Sequence, residues 1–138
     1  MIAENGGLNR ELMQIGLVDL LIEAILHKSI LVKRNSSETL AFLVKDNSVW
    51  EKMEEGHWNE HILETLLQEF STCQDQIVIE NILLSLMHLS YQKKFKPPLL
   101  DANVPELLQS NVSNNQSLEE AIYAVWILIN LCHTPETK

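Results

Sequence analysis

The sequence predicts an all-α fold of stacked helical repeats, and three observations lead to it. Apolar residues recur every three or four positions through most of the 138-residue chain, and no segment alternates with a period of two. Only 4 glycines and 4 prolines occur, which is few for a strand-rich fold with many turns. Two short segments also recur in the same order about three times, with a period of 40 to 46 residues that is typical of helical repeat proteins.

Apolar stripes at helical spacing mark the individual helices, because residues three and four apart lie on one face of a helix. Such a stripe predicts a helix that buries one side against its neighbours. The three clearest stripes are Leu17, Leu20, Leu21, Ala24 and Ile25; Ile62, Leu66 and Phe70; and Ile79, Ile82, Leu83, Leu86 and Leu89.

Polar turn residues predict where these helices stop. Ser117 with Glu120 is a capping box, which predicts the start of the last helix. The predicted breaks are Asn35–Ser37, Asp46–Ser48, Ser71–Thr72, Pro97–Pro98 and Asn111–Asn115.

The repeat has two parts. Segments 12–25, 52–65 and 99–110 align without gaps and place Gly16, Gly56 and Ala102 together, while segments 38–46, 80–90 and 124–132 align as a second unit. Leu40 to Gly56 and Leu86 to Ala102 are both 16 positions, whereas the loops on the other side vary in length. A constant turn with a variable loop is typical of stacked repeats, in which each unit buries its apolar face only against its neighbours.

The third unit contains Val104-Pro105 at the start of a predicted helix and Trp126-Ile-Leu-Ile-Asn-Leu131 near the end of the last one. With these two motifs it resembles the armadillo repeat, in which they stand at the start of the second helix and at the end of the third helix. The resemblance implies an armadillo-like right-handed helical solenoid, with residues 1–138 as one domain that is part of a longer array. The implied repeats are 9–46, 47–90 and 93–132.

In armadillo proteins the third helices line a concave groove, and the resemblance places them at 30–45, 75–90 and 117–132. In this family an asparagine on the third helix of a repeat can bind the backbone of a peptide. The equivalent positions in the three repeats here are Phe42, His88 and Asn130, and only Asn130 has the amide side chain. This argues against an extended peptide as the ligand and favours a helix or a folded partner bound by apolar contacts. Trp126 has two interpretations, groove contact or core packing. The predicted groove residues are Phe42, Leu84, His88, Trp126 and Asn130.

Residues 57–61 read HWNEH, which fits the H-x-x-E-H pattern of inverted zincins. In the repeat alignment, however, His61 falls on Leu21 and His57 falls on Leu17, so both occupy ordinary helix positions. A catalytic zinc site also needs a third protein ligand, and no residue here is marked as one. We therefore predict no metal site and no cofactor, and keep His57 and His61 as a candidate for adventitious zinc binding. Cys73 with His88 is the other pair considered, and an unreactive thiol is the simpler interpretation.

Composition and charge argue against several further classes of protein. A net charge of −9 argues against nucleic-acid binding and favours a basic partner. No apolar run has the length of a membrane span, and the polar start predicts no secretion signal. With 2 cysteines, no disulfide framework is expected, so we expect an intracellular protein, cytoplasmic or alternatively nuclear.

The sequence thus predicts a non-catalytic scaffold or adaptor that binds a protein or peptide along the groove. The alternative is a structural or oligomerisation piece of a larger repeat assembly, which associates through uncapped repeat ends. A zinc hydrolase using His57, Glu60 and His61 is the third hypothesis.

Overall fold

The computed structural model of the chain describes residues 17–46, 58–114 and 117–133, and their side chains except those of 58–61 and 111–114. These residues form seven α-helices, with a 3₁₀ turn at Lys93–Phe95, and none of them lies in a strand. The all-α prediction is confirmed for this part of the chain. The helices are α1 Leu17–Ile25, α2 Ile30–Val44, α3 Trp58–Thr72, α4 Gln76–Ser90, α5 Lys96–Asp101, α6 Val104–Asn114 and α7 Leu118–Cys132.

Side-chain caps begin the three helices predicted at 30–45, 75–90 and 117–132. Ser29, Asp75 and Ser117 each accept a hydrogen bond from the backbone N–H three residues later, at 3.4, 3.1 and 3.1 Å. Each cap satisfies a backbone donor that the first helical turn leaves without a partner. The helix starts therefore follow directly from the sequence, including the start predicted at Ser117.

Helix α4 lies at the centre of the packing. It contacts α2 on one side and α7 on the other, and it also contacts α3. Helix α1 contacts α2 and α3, while α6 contacts α5 and α7. Helices α2, α4 and α7 therefore form one layer, with α4 in the middle.

The repeat alignment predicts equivalent core positions, and the structure buries most of them. Leu43, Leu89 and Leu131 are 1, 0 and 5% exposed, and Leu40 and Leu86 are fully buried. Full burial of such a side chain contributes roughly 1.5–3 kcal/mol to the free energy of folding. The layer of α2, α4 and α7 is thus held together by leucines at repeated positions.

The break predicted at Asn35–Ser37 is wrong, because these residues lie inside α2. The Ser36 hydroxyl donates to the carbonyl oxygen of Val32 at 2.7 Å, and the Ser37 hydroxyl donates to that of Arg34 at 3.1 Å. Serine hydroxyls that bond to the preceding turn are compatible with a continuous helix.

Other predicted boundaries need smaller corrections. Pro97 and Pro98 lie in the first turn of α5, where proline loses no helical hydrogen bond, so they do not interrupt the helix. Asn111 lies within α6, and Leu20 is 63% exposed, so it does not belong to the buried stripe of α1.

The predicted break at Ser71–Thr72 is confirmed by the end of α3, and the predicted start at Val104 is confirmed by α6. Asn103 precedes α6 with a φ of 59°, a left-handed conformation that asparagine adopts more readily than most residues. Gly16, Gly56, residues 47–48 and Asn115 lie outside the described residues.

Candidate functional site

A pocket between α2 and α4 brings together three of the five predicted groove residues. Phe42 from α2 and Leu84 and His88 from α4 all line it, and its volume is about 290 Å³. Ala41 adds to the apolar lining. The polar residues at the pocket are Glu38, Lys45 and Asn81.

Positive charge in this pocket is carried by Lys45 rather than by His88. The Lys45 ammonium lies 4.8 Å from the centre of the Phe42 ring, a cation–π contact. Burial lowers the pKa of His88 below its ordinary value, and the positive charge of Lys45 lowers it further. At neutral pH the imidazole is therefore uncharged, so it can donate one hydrogen bond and accept another.

Polar contacts fix α2 against α4 beside this pocket. Arg34 of α2 binds both carboxylate oxygens of Asp75, at 2.7 and 3.1 Å, and Asn81 of α4 donates to the Ser37 hydroxyl at 3.1 Å. A bidentate arginine–carboxylate pair restricts direction as well as distance. These contacts hold the two helices that carry Phe42 and Leu84.

Asn130 is a buried residue of the α4–α7 contact. It is 7% exposed, and its amide nitrogen donates to the Ser90 hydroxyl at 2.8 Å. Near the start of the two helices, the Gln76 amide donates to the Ser117 hydroxyl at 3.1 Å and also to the Glu120 carboxylate. The amide that the resemblance assigns to peptide binding is thus bonded inside the protein.

Trp126 is 45% exposed, so core packing does not account for it. It lies on α7 among other exposed apolar side chains, and it does not line the pocket of Phe42, Leu84 and His88. We call this surface the α7 face. Its residues and exposed fractions are Leu118 70%, Ile122 43%, Val125 46%, Trp126 45% and Ile129 39%.

Of the α7 face, sequence reasoning predicted only Trp126 as a site residue, and it also missed Glu38, Lys45 and Asn81 of the pocket. For the α7 face, the signal is the spacing of 118, 122, 125 and 129 on a helix that already has a second apolar side. For Lys45 and Asn81, the signal is their position three residues from Phe42 and Leu84, which places them on the same side of the helix.

A second pocket, of about 350 Å³, lies between α3 and α5. Leu63, Leu67, Pro98 and Ala102 give it an apolar lining, and Glu64 and Asp101 add negative charge. None of its residues was predicted as functional. Its apolar lining can hold an apolar side chain, while its acids disfavour an anionic ligand.

The zinc candidates fall at the limit of the described part. His57 lies outside the described residues. His61 lies in α3, but its side chain is not among those described. Among the described side chains, no three His, Cys, Asp or Glu residues lie close enough to hold a metal ion. Adventitious zinc binding by His57 and His61 stays a candidate beside the prediction of no metal site.

The structure separates Cys73 from His88. Cys73 precedes α4, where its sulfur accepts a hydrogen bond from the Asp75 backbone N–H at 3.5 Å, and His88 lies in the last turn of the same helix. The 15 residues of α4 put roughly 20 Å between the two ends. The two side chains therefore cannot act as a nucleophile and base.

No protein-family model, no curated protein and no solved structure matches the chain. None of the helices in the described ranges has both the length and the apolar character that crossing a membrane requires.

Proposed function

We propose that the chain is a non-catalytic protein-interaction module with an armadillo-like, right-handed solenoid architecture. In this proposal, α1 and α2 belong to repeat 9–46, α3 and α4 belong to repeat 47–90, and α5, α6 and α7 form repeat 93–132. The order of contacts α2–α4–α7 supports it, as do the buried leucines at equivalent positions 43, 89 and 131.

The observation that carries the binding function is the pocket that Phe42, Leu84 and His88 line together. A space of about 290 Å³ with an apolar lining accommodates one or two large apolar side chains. The partner is a helix or folded segment that inserts such a side chain, because buried apolar anchors supply most of the binding free energy of an interface.

Charges around the pocket define what should surround that anchor. Lys45 suits an acidic group of the partner, and Glu38 suits a basic one. The net charge of −9 further favours a partner that is basic overall, since long-range attraction raises the association rate. No catalytic residue is part of this proposal.

The test is quantitative affinity capture with mass spectrometry, comparing the wild type with Leu84→Glu. A carboxylate at this position places charge in the pocket, so we expect the bound proteins to be lost. The matched control is Leu100→Glu on α5, which changes an apolar residue that is 42% exposed and does not line the pocket. Circular dichroism and thermal unfolding establish that both variants fold.

Phe42→Ala tests the same pocket without adding charge, and binding of each captured partner to it is measured by calorimetry. We expect at least a roughly tenfold weaker affinity, which corresponds to about 1.4 kcal/mol. Retention of the same partners by Leu84→Glu and by Phe42→Ala, at wild-type affinity, would exclude this pocket as the working surface.

A further inference from the structure

The α7 face corresponds to the side of α4, the middle helix of the layer, that packs against α7. On α4, Gln76 and Ser90 face α7, as their hydrogen bonds to Ser117 and Asn130 show. In the repeat alignment, residue 84 corresponds to 126, so Gln76 and Ser90 correspond to Leu118 and Cys132 on α7. The side of α4 that packs on the next helix is therefore the side that α7 exposes.

This exposed side is almost entirely apolar. Leu118, Ile122, Val125 and Ile129 follow each other at intervals of four, three and four residues, and Trp126 lies beside them. An apolar stripe of this spacing is the contact surface of paired helices. A contiguous apolar patch of this kind on a folded protein is a site of association.

We propose that the α7 face binds the α7 face of a second copy of this chain, with the two helices antiparallel. The interval pattern is the same when read in reverse. A two-fold axis between positions 123 and 124 therefore places Leu118 against Ile129 of the second copy and Ile122 against Val125 of the second copy. Such self-complementarity is what a symmetric two-fold interface requires.

Charges at the ends of α7 select the same arrangement. Glu119 is exposed in the first turn, and the Lys96 ammonium donates to the carbonyl oxygen of His133 at 2.7 Å, at the other end of the helix. An antiparallel pair brings each Glu119 towards Lys96 of the second copy. The helix dipoles also favour this arrangement, whereas a parallel pair would bring like ends together.

The expected affinity is modest. A contact built from one 15-residue helix per copy buries on the order of 1,000 Å² in total, the lower end of specific interfaces. We therefore expect a dimer with a dissociation constant in the micromolar range. The α7 face does not include the pocket of Phe42, Leu84 and His88, so dimerisation and partner binding are tested separately.

Sedimentation velocity from micromolar to millimolar concentration measures this equilibrium. We expect Ile122→Glu to raise the dissociation constant at least about tenfold, because it places two like charges in an apolar contact. The control is Leu31→Glu on α2. This leucine lies outside the α7 face and is more exposed (68%) than Ile122, and its substitution should leave the dissociation constant unchanged. A wild type that stays monomeric at millimolar concentration, or a dimer insensitive to Ile122→Glu, would overturn the proposal.

A charge exchange tests both the second copy and the antiparallel direction. Glu119→Lys and Lys96→Glu should each weaken the dimer alone, because each brings like charges together twice. Mixing the two variants should restore it, since both contacts in the mixed pair are then between opposite charges. If Lys96→Glu does not fold, His133→Glu replaces it, because this exposed residue lies at the same end of α7.

The control mixture is Glu106→Lys with Lys28→Glu, two exposed residues on other elements. We expect it to dimerise like the wild type. A mixture of Glu119→Lys and Lys96→Glu that associates no better than either variant alone would show that a different surface, or a different molecule, covers the α7 face.

Discussion

Separate hydrogen-bonded pairs of polar side chains join α7 to α4. Ser90 is fully buried, accepts a hydrogen bond from the Asn130 amide, and donates its own proton to the carbonyl oxygen of Met87 at 2.6 Å. Because water cannot reach these atoms, each depends on its protein partner. The cost of removing one of them is therefore the cost of leaving the other without a hydrogen bond.

We predict that Ser90→Ala lowers the free energy of unfolding by about 1–3 kcal/mol, because the Asn130 amide nitrogen loses its acceptor in a buried site. The control is Ser71→Ala on α3, where an exposed hydroxyl makes a similar bond to the Leu67 carbonyl oxygen at 3.0 Å. We expect the control to stay within about 0.5 kcal/mol of the wild type. Urea denaturation of both variants gives the comparison, and equal losses would contradict the assignment of Ser90 to a buried pair.

Helix α4 begins at a residue with two roles. Asp75 caps the helix by accepting from the Val78 N–H, and it also binds Arg34 of α2. The hydrogen bond from Arg34 lowers the pKa of Asp75, with the Val78 N–H and the arginine charge adding to the effect against the opposing effect of burial. The start of α4 and its attachment to α2 thus depend on one ionised carboxylate.

We predict a difference between Asp75→Asn, which keeps a capping side chain, and Asp75→Ala, which does not. The alanine variant should lose about 1–2 kcal/mol of stability and the asparagine variant less, because asparagine caps as well as aspartate. The folded state lowers the pKa of Asp75, so its negative charge stabilises the folded state at any pH above the ordinary pKa of aspartate. This stabilisation is lost as the pH falls through the lowered pKa of the folded state.

Denaturation at about pH 7 and about pH 2 measures this dependence. The stability difference between wild type and Asp75→Asn should be present at the higher pH and should shrink in acid. A difference that stays constant over this range would mean that the ion pair with Arg34 does not contribute through its charge.

Helix positions follow from the sequence because caps and apolar spacing are local properties. Ser117 predicts the start of α7 in this way, and the end of α3 at Ser71–Thr72 is likewise predicted from local residues. The misplaced break at Asn35–Ser37 shows the limit, since serine favours turns only weakly and the packing of α2 against α4 decides the outcome. Which side of a helix is covered is not local: Leu20 has the spacing of a core residue and is exposed.

The candidate site was predictable in part for the same reason. Phe42, Leu84 and His88 share a repeat position or lie one turn from it, so the repeat alignment together with the armadillo resemblance predicted them on one surface. Asn130 occupies the equivalent position, yet its amide points to Ser90. Alignment gives a position along the helix, and the direction in which a side chain finds its hydrogen bond depends on the neighbouring helix.

At the scale of the whole molecule, α4 connects all parts of the layer. It contacts α2, α7 and α3, and its leucines 83, 86 and 89 are fully buried. The described helices should lose their structure in a single step, since α2 and α7 each lose their most extensive helix contact without α4.

We predict that Leu86→Ala lowers the free energy of unfolding by about 2–5 kcal/mol, because it leaves a cavity in the centre of the layer. Amide hydrogen exchange should show α2, α4 and α7 losing protection together. Leu100→Ala, at a position that is 42% exposed, is the control and should have a much smaller effect. Loss of protection confined to α4 would argue against one cooperative unit.

The polar contacts between α2 and α4 also determine how the pocket between them binds a ligand. Leucine stripes alone would tolerate a slide of one helical turn, about 5.4 Å, with little loss of apolar contact. The Arg34–Asp75 pair at the start of α4 and the hydrogen bond from Asn81 of α4 to Ser37 of α2 do not tolerate such a slide. The pocket between α2 and α4 is therefore preorganised, so a ligand can dock on it as on a rigid body, without first paying for a rearrangement of the backbone.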